Sequence, residues 1–183
     1  SSSGNGVSRQ PSHMECYCRY RLDPRTHRVT ISKQRLPGTK LQKNETKSPT
    51  LVIGDSNMRA WTGYPADWTV VCHGGKTIED LVGILLRSVH MLNNVDRVVL
   101  AAGMNNRNDN ATQHRTNVDL LHRLQEALNG RLFVIGVPSS DLMSAQKQAN
   151  TDAVNDCLRQ GAGADHYIEP VDRTETVFFE DDT

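Results

Sequence analysis

Thr50-Leu51-Val52-Ile53-Gly54-Asp55-Ser56 is the stretch on which the fold turns. Thr50 to Ile53 forms a strand-building run without polar alternation, the pattern of a strand covered on both faces. Gly54 and Asp55 break it, and Ser56 follows at once. Outward from this stretch the pattern repeats. Trp68 to Cys72 is a second strand, followed by Gly74-Gly75-Lys76-Thr77. Thr77 caps a helix expected over 78–92, with Ile78, Leu81, Val82, Leu85, Val89 and Leu92 on one face and Glu79 and Asp80 at its positive end. Arg97 to Ala102 is a third strand, closed by Gly103-Met104-Asn105-Asn106. A helix over 117–128 carries Leu120, Leu121, Leu124 and Leu128; Leu132 to Val137 is a fourth strand that Pro138 stops. A helix over 145–158, ended by the glycines at 161 and 163, precedes a short fifth strand, His166 to Ile168. Strands alternating with helices predict an α/β fold around a doubly wound, parallel, five-stranded sheet.

The 183 residues suit one domain plus a tail. The net charge of zero hides an asymmetry: residues 1–50 hold ten basic and three acidic side chains, net +7, and residues 51–183 hold 11 and 18, net −7. Residues 1–47 read as a basic, largely disordered arm with a small hairpin over 16–31, and residues 48–183 as the folded domain. Arg19, Arg21, Arg25, Arg28, Lys33 and Arg35 are the candidate contacts to nucleic acid, set against the plainer reading of a solvated leader. No run of about 18 apolar residues suggests a membrane span, and Ser1 to Gln10 is too polar for a signal peptide. With four cysteines, Cys16, Cys18, Cys72 and Cys157, a reducing, intracellular and cytoplasmic setting is expected. Cys16 and Cys18 between His13 and His27 lack the C-x-x-C spacing of most structural zinc sites, so no metal is expected.

On open α/β sheets ligands bind beyond the carboxyl ends of the strands. Ser56, Gly75 and Asn105 each follow a strand at that edge. Ser56 offers a hydroxyl nucleophile and a backbone N–H, Gly75 a backbone N–H with no side chain in the way, and Asn105 an amide. Together they suit acyl transfer, in which negative charge develops on a carbonyl oxygen only in the transition state.

These three blocks, in this order, resemble the SGNH, or GDSL, hydrolase superfamily. Val52-Ile53-Gly54-Asp55-Ser56 matches its Ser block, Gly74-Gly75-Lys76-Thr77 its Gly block and Gly103-Met104-Asn105-Asn106 its Asn block. The resemblance implies a flavodoxin-like, three-layer α/β/α sandwich, a Ser56 nucleophile, an oxyanion hole of Ser56, Gly75 and Asn105, and no cofactor. Its last block, D-x-x-H, implies that Asp182 orients a histidine base two residues past Thr183. Either the chain stops short of that block or the domain is a non-catalytic relative. His73 and His166 are substitutes near the rim whose plainer reading is packing; Cys72 reads as a buried strand-end residue. Gly54-Asp55-Ser56-Asn57-Met58-Arg59 with Ala102-Gly103-Met104-Asn105-Asn106-Arg107 also resembles the esterase-type domain of vertebrate non-LTR retrotransposon proteins.

The expected function is therefore serine ester hydrolysis on a small acyl ester or lipid. The alternative is a binding or assembly module of a retroelement ribonucleoprotein, its basic arm on nucleic acid.

Overall fold

The computed structural model describes residues 14–16, 18–22, 29–33, 40–56, 58 and 64–170. Among the described residues, eight strands and three α-helices follow in chain order: β1 Met14–Cys16, β2 Cys18–Leu22, β3 Val29–Lys33, β4 Thr50–Gly54, β5 Trp68–Cys72, α1 Ile78–Arg87, β6 Arg97–Ala101, α2 Ala111–Ala127, β7 Leu132–Ile135, α3 Ala145–Ala162 and β8 Tyr167–Ile168. The main sheet runs β1-β5-β4-β6-β7-β8 with every pairing parallel. Its last five strands form the parallel sheet expected from the sequence, in the flavodoxin order 2-1-3-4-5. The sixth, β1, comes from the basic arm and pairs with the outer edge of β5. Where the sequence suggested a hairpin over 16–31, β2 pairs antiparallel with β3 in the register Cys18 to Lys33 and Leu22 to Val29, and Cys16 belongs to β1 instead.

All of β4 is buried, as its unbroken strand-forming run requires, and it lies between β5 and β6. Leu51, Ile53, Val71, Val98, Leu100, Leu132 and Val134 form one sheet face, against which α1, α2 and α3 pack through residues such as Leu81, Leu85, Leu121, Leu124, Val154 and Leu158. Each such fully buried leucine contributes about 1.5–3 kcal/mol relative to an exposed one. The opposite face carries Val52, Val70, Cys72, Val99 and Ala101, and among the described residues Met58 and Tyr64 pack on it.

The core reaches upstream of residue 48. Leu41 is part of the main cluster, and its N–H donates to the Ser88 hydroxyl at 2.8 Å. That hydroxyl donates in turn to the Ile84 carbonyl at 2.7 Å. The α-helix expected to reach Leu92 ends at this point, at Arg87, and a 3-10 turn over Val89–Met91 completes the segment. The helix expected from 117 begins six residues earlier, at Ala111. Asn110 and Gln113 form a reciprocal cap there, side chain to backbone in both directions, at 2.9 and 2.8 Å. α3 runs through Gly161 and ends at Gly163, whose φ of 100° suits a glycine.

Among the described residues no helix is long and apolar enough to cross a membrane.

Candidate active site

Gly54, the last residue of β4, is in register with Cys72 on one side and Ala101 on the other. The three segments that follow these residues leave the sheet side by side at its carboxyl edge. Ser56, half-buried, stands two positions past Gly54; Gly75, exposed with φ 76°, three past Cys72; Asn105, exposed, four past Ala101. Neighbouring strands lie about 4.8 Å apart, so all three sit within the span of three strands. Strand order reverses between β4 and β6, where doubly wound sheets bind their ligands.

Hydrogen bonds tie the segments together. Asp55 N–H donates to the Ala101 carbonyl at 3.1 Å, and His73 N–H to the Gly54 carbonyl at 2.7 Å. Asn105 Nδ2 donates to the Lys76 carbonyl at 2.8 Å, joining the Asn segment to the Gly segment. The neighbouring Asn106, fully buried, goes further. Its Oδ1 accepts from Ile78 N–H, the first residue of α1, at 2.9 Å. Its Nδ2 donates to Glu79 Oε1 at 2.7 Å and to Asp109 Oδ2 at 2.8 Å. Asn117 Nδ2 also donates to that Asp109 oxygen, at 3.3 Å. α1 itself starts on the Thr77 cap that the sequence suggested, and Asp80 makes the cap reciprocal, at 3.3 and 3.1 Å.

Gly54 and Gly103 are required by close approach. A β-carbon on Gly54 would stand 2.3 Å from the Ala101 carbonyl and 2.4 Å from Met58 Sδ. Gly103 has φ 127°, and a β-carbon there would stand 2.7 Å from Val154 and 2.9 Å from Val137. Both glycines hold a site segment against the sheet.

Asp55, just before Ser56, is buried, and Cys72 Sγ contacts its carbonyl oxygen at 3.5 Å. Burial pushes the Arg107 guanidinium below its ordinary value, and the charge of Asp55 pulls it part of the way back; arginine nevertheless stays cationic in proteins. Cys157, buried under α2, is pushed up to about 12, first by burial and then by Asp109 and Glu79. Its thiol stays protonated and is no nucleophile at neutral pH.

His73 lies at the site edge, buried beside β4. His166 lies at the other end of the sheet: its Nδ1 bonds the carbonyl of Leu132, the first residue of β7, at 2.9 Å, and its ring stacks on Phe133. The sequence had set His166 near the rim, but a residue that opens a parallel strand stands at the amino edge. It is a packing histidine.

Asp182 lies outside the described residues, as do Arg25, Arg28 and Arg35. Arg19 and Arg21 belong to β2 and Lys33 to β3. Sequence reasoning missed the linking role of Asn106, although it stood inside the quoted Gly103 segment.

No family model matches the chain, and no curated protein does. Among solved structures it is similar to the lipase Lip_vut3 from a goat rumen metagenome, at 10% identity over 67% of this chain and 80% of that one, with a TM-score of 0.47. A likeness of that size carries no argument about chemistry. What the chain's own geometry defines is a doubly wound α/β domain with a three-segment polar rim at its switch point.

Proposed function

We propose that the chain is a serine ester hydrolase of the SGNH type. Ser56 Oγ attacks the carbonyl carbon of a small acyl ester or lipid, the alcohol departs, and water releases the acid in a second step. The N–H groups of Ser56 and Gly75 and the Asn105 amide hold the oxyanion. One Asn105 N–H is spent on Lys76, which orients the amide; the second is the donor for the reacting oxygen. Asp182 orients the base, a histidine that the family register puts after Thr183. No metal or organic cofactor enters this scheme.

The observation that carries the reading is the double register of Gly54 with Cys72 and Ala101, which places the segments bearing Ser56, Gly75 and Asn105 side by side. Its test is p-nitrophenyl acetate hydrolysis by the chain continued along its native reading frame, with and without Ser56→Ala. Turnover that Ser56→Ala lowers by at least about a thousandfold is expected. If the variant matches its parent, the domain is not a serine hydrolase, and the reading as a binding module replaces this one.

A further inference from the structure

Asn105 and Asn106 are neighbours in the chain and grip the Gly segment from two directions. Asn105 Nδ2 donates to the Lys76 carbonyl at 2.8 Å, and Asn106 Oδ1 accepts from Ile78 N–H at 2.9 Å. These two bonds tie residues 76–78 to residues 105–106, and Gly75 directly precedes that stretch. The Ile78 N–H is the first of α1, where a helix offers no acceptor of its own, so Asn106 supplies it.

An amide side chain has nearly the same shape either way round, with an acceptor on one side and donors on the other. Turned over, Asn106 would set Nδ2 against the Ile78 N–H, donor against donor, and release the start of α1. The carboxylates behind it forbid this. Nδ2 donates to Glu79 Oε1 at 2.7 Å and to Asp109 Oδ2 at 2.8 Å, and an ionised carboxylate can only accept, through bonds stronger than those between neutral groups. Glu79 belongs to α1, the element to be located, and moves with it. Asp109 holds from outside. Its N–H donates to the Asn106 carbonyl at 3.0 Å, and its Oδ2 also accepts from Nδ2 of the fully buried Asn117 of α2, at 3.3 Å.

We propose that Asp109 is a positioning residue: by keeping the Asn106 amide the right way round, it fixes the spacing between the Gly75 N–H and the Asn105 amide. That these two groups share an oxyanion rests on the hydrolase reading above; the orientation of Asn106 does not. Asp109 acts through Asn106 and not on the reacting atoms.

The test has two readouts. In the full chain, hydrogen exchange at the Ile78 N–H, followed by nuclear magnetic resonance, should quicken in Asp109→Ala by about tenfold or more relative to the Leu85 N–H, within α1. A general loss of stability would quicken the two alike. In the chain continued along its native reading frame, Asp109→Ala should lower kcat for p-nitrophenyl acetate by about tenfold or more per folded chain at unchanged KM, because the donors it spaces act on the transition state. Asp109→Asn keeps a carbonyl acceptor for Asn106 and should recover most of both losses. If Asp109→Ala does not fold, Glu79→Ala, on the half-buried first turn of α1, should move both readouts in the same direction by less. Ile78 exchange that stays in step with Leu85, or Ser56-dependent turnover with kcat unchanged, overturns the proposal. Exchange that responds in a chain with no Ser56-dependent turnover would sink the hydrolase reading and leave Asp109 as the holder of Asn106, and Ser56-dependent turnover indifferent to Asp109 would do the reverse.

Discussion

Asn106 is the residue on which the site's geometry depends most. A single buried amide accepts from the first N–H of α1 and donates to two carboxylates, Glu79 and Asp109, so it joins the segment after β5 to the segment after β6. Its function needs both faces of an amide, an acceptor and a donor. Asn106→Asp keeps the acceptor, keeps the shape, and sets a third carboxylate against two. We expect a loss of about 3–5 kcal/mol at neutral pH, the cost of an uncompensated buried charge. The sign follows from linkage: the new carboxyl is held above its ordinary pKa in the folded state, so stability is present at low pH and lost as pH rises through that raised value. Urea midpoints of variant and parent should therefore converge toward about pH 4 and separate toward 7, where equal midpoints would show that Asn106 is not a clamp. Ser56, Gly75 and Asn105 could be singled out in the sequence because each lies in the short segment after a strand and shows its chemistry in its side chain or lack of one. Asn106 could not, since its partners lie at residues 78 and 79, a contact that local pattern does not encode.

At the scale of elements, the strands were the most legible part, because short strand-forming runs bounded by glycine or proline leave little choice of boundary. The helices were legible only where apolar spacing marked them. Ala111 to Thr116 carries no apolar stripe and lies largely at the surface, so the start of α2 rested on the Asn110 and Gln113 cap instead. The early end of α1 had no apolar signature either. Ser88, fully buried, spends its hydroxyl on the Ile84 carbonyl and on the N–H of Leu41, 47 residues away. Ser88→Ala strands that N–H in the core and should cost about 1–3 kcal/mol, read as a lower urea midpoint at unchanged slope. A variant as stable as its parent would mean that Leu41 is not anchored there.

For the whole molecule, topology followed from the alternation of strands and helices, and the site from topology, since the reversal of strand order falls beside β4. The extent of the packed region did not follow. Composition placed everything before Ser48 in a basic arm, but Leu41 enters the core and Met14–Cys16 joins the sheet. Contact of that arm with nucleic acid stands as a separate proposal resting on its net charge of +7. The added strand changes how the molecule meets its own copies. A bare parallel edge presents a row of N–H and C=O groups, a template on which an identical chain can pair. β1 occupies that template on β5, and among the described residues the opposite border is the two residues of β8. A chain beginning at Thr39 keeps Leu41 and loses the stopper, so it should self-associate with rising concentration in sedimentation runs where the parent does not. Three residues borrowed from a polar, charged leader would then act as a guard against aggregation, setting the colloidal behaviour of the domain they border.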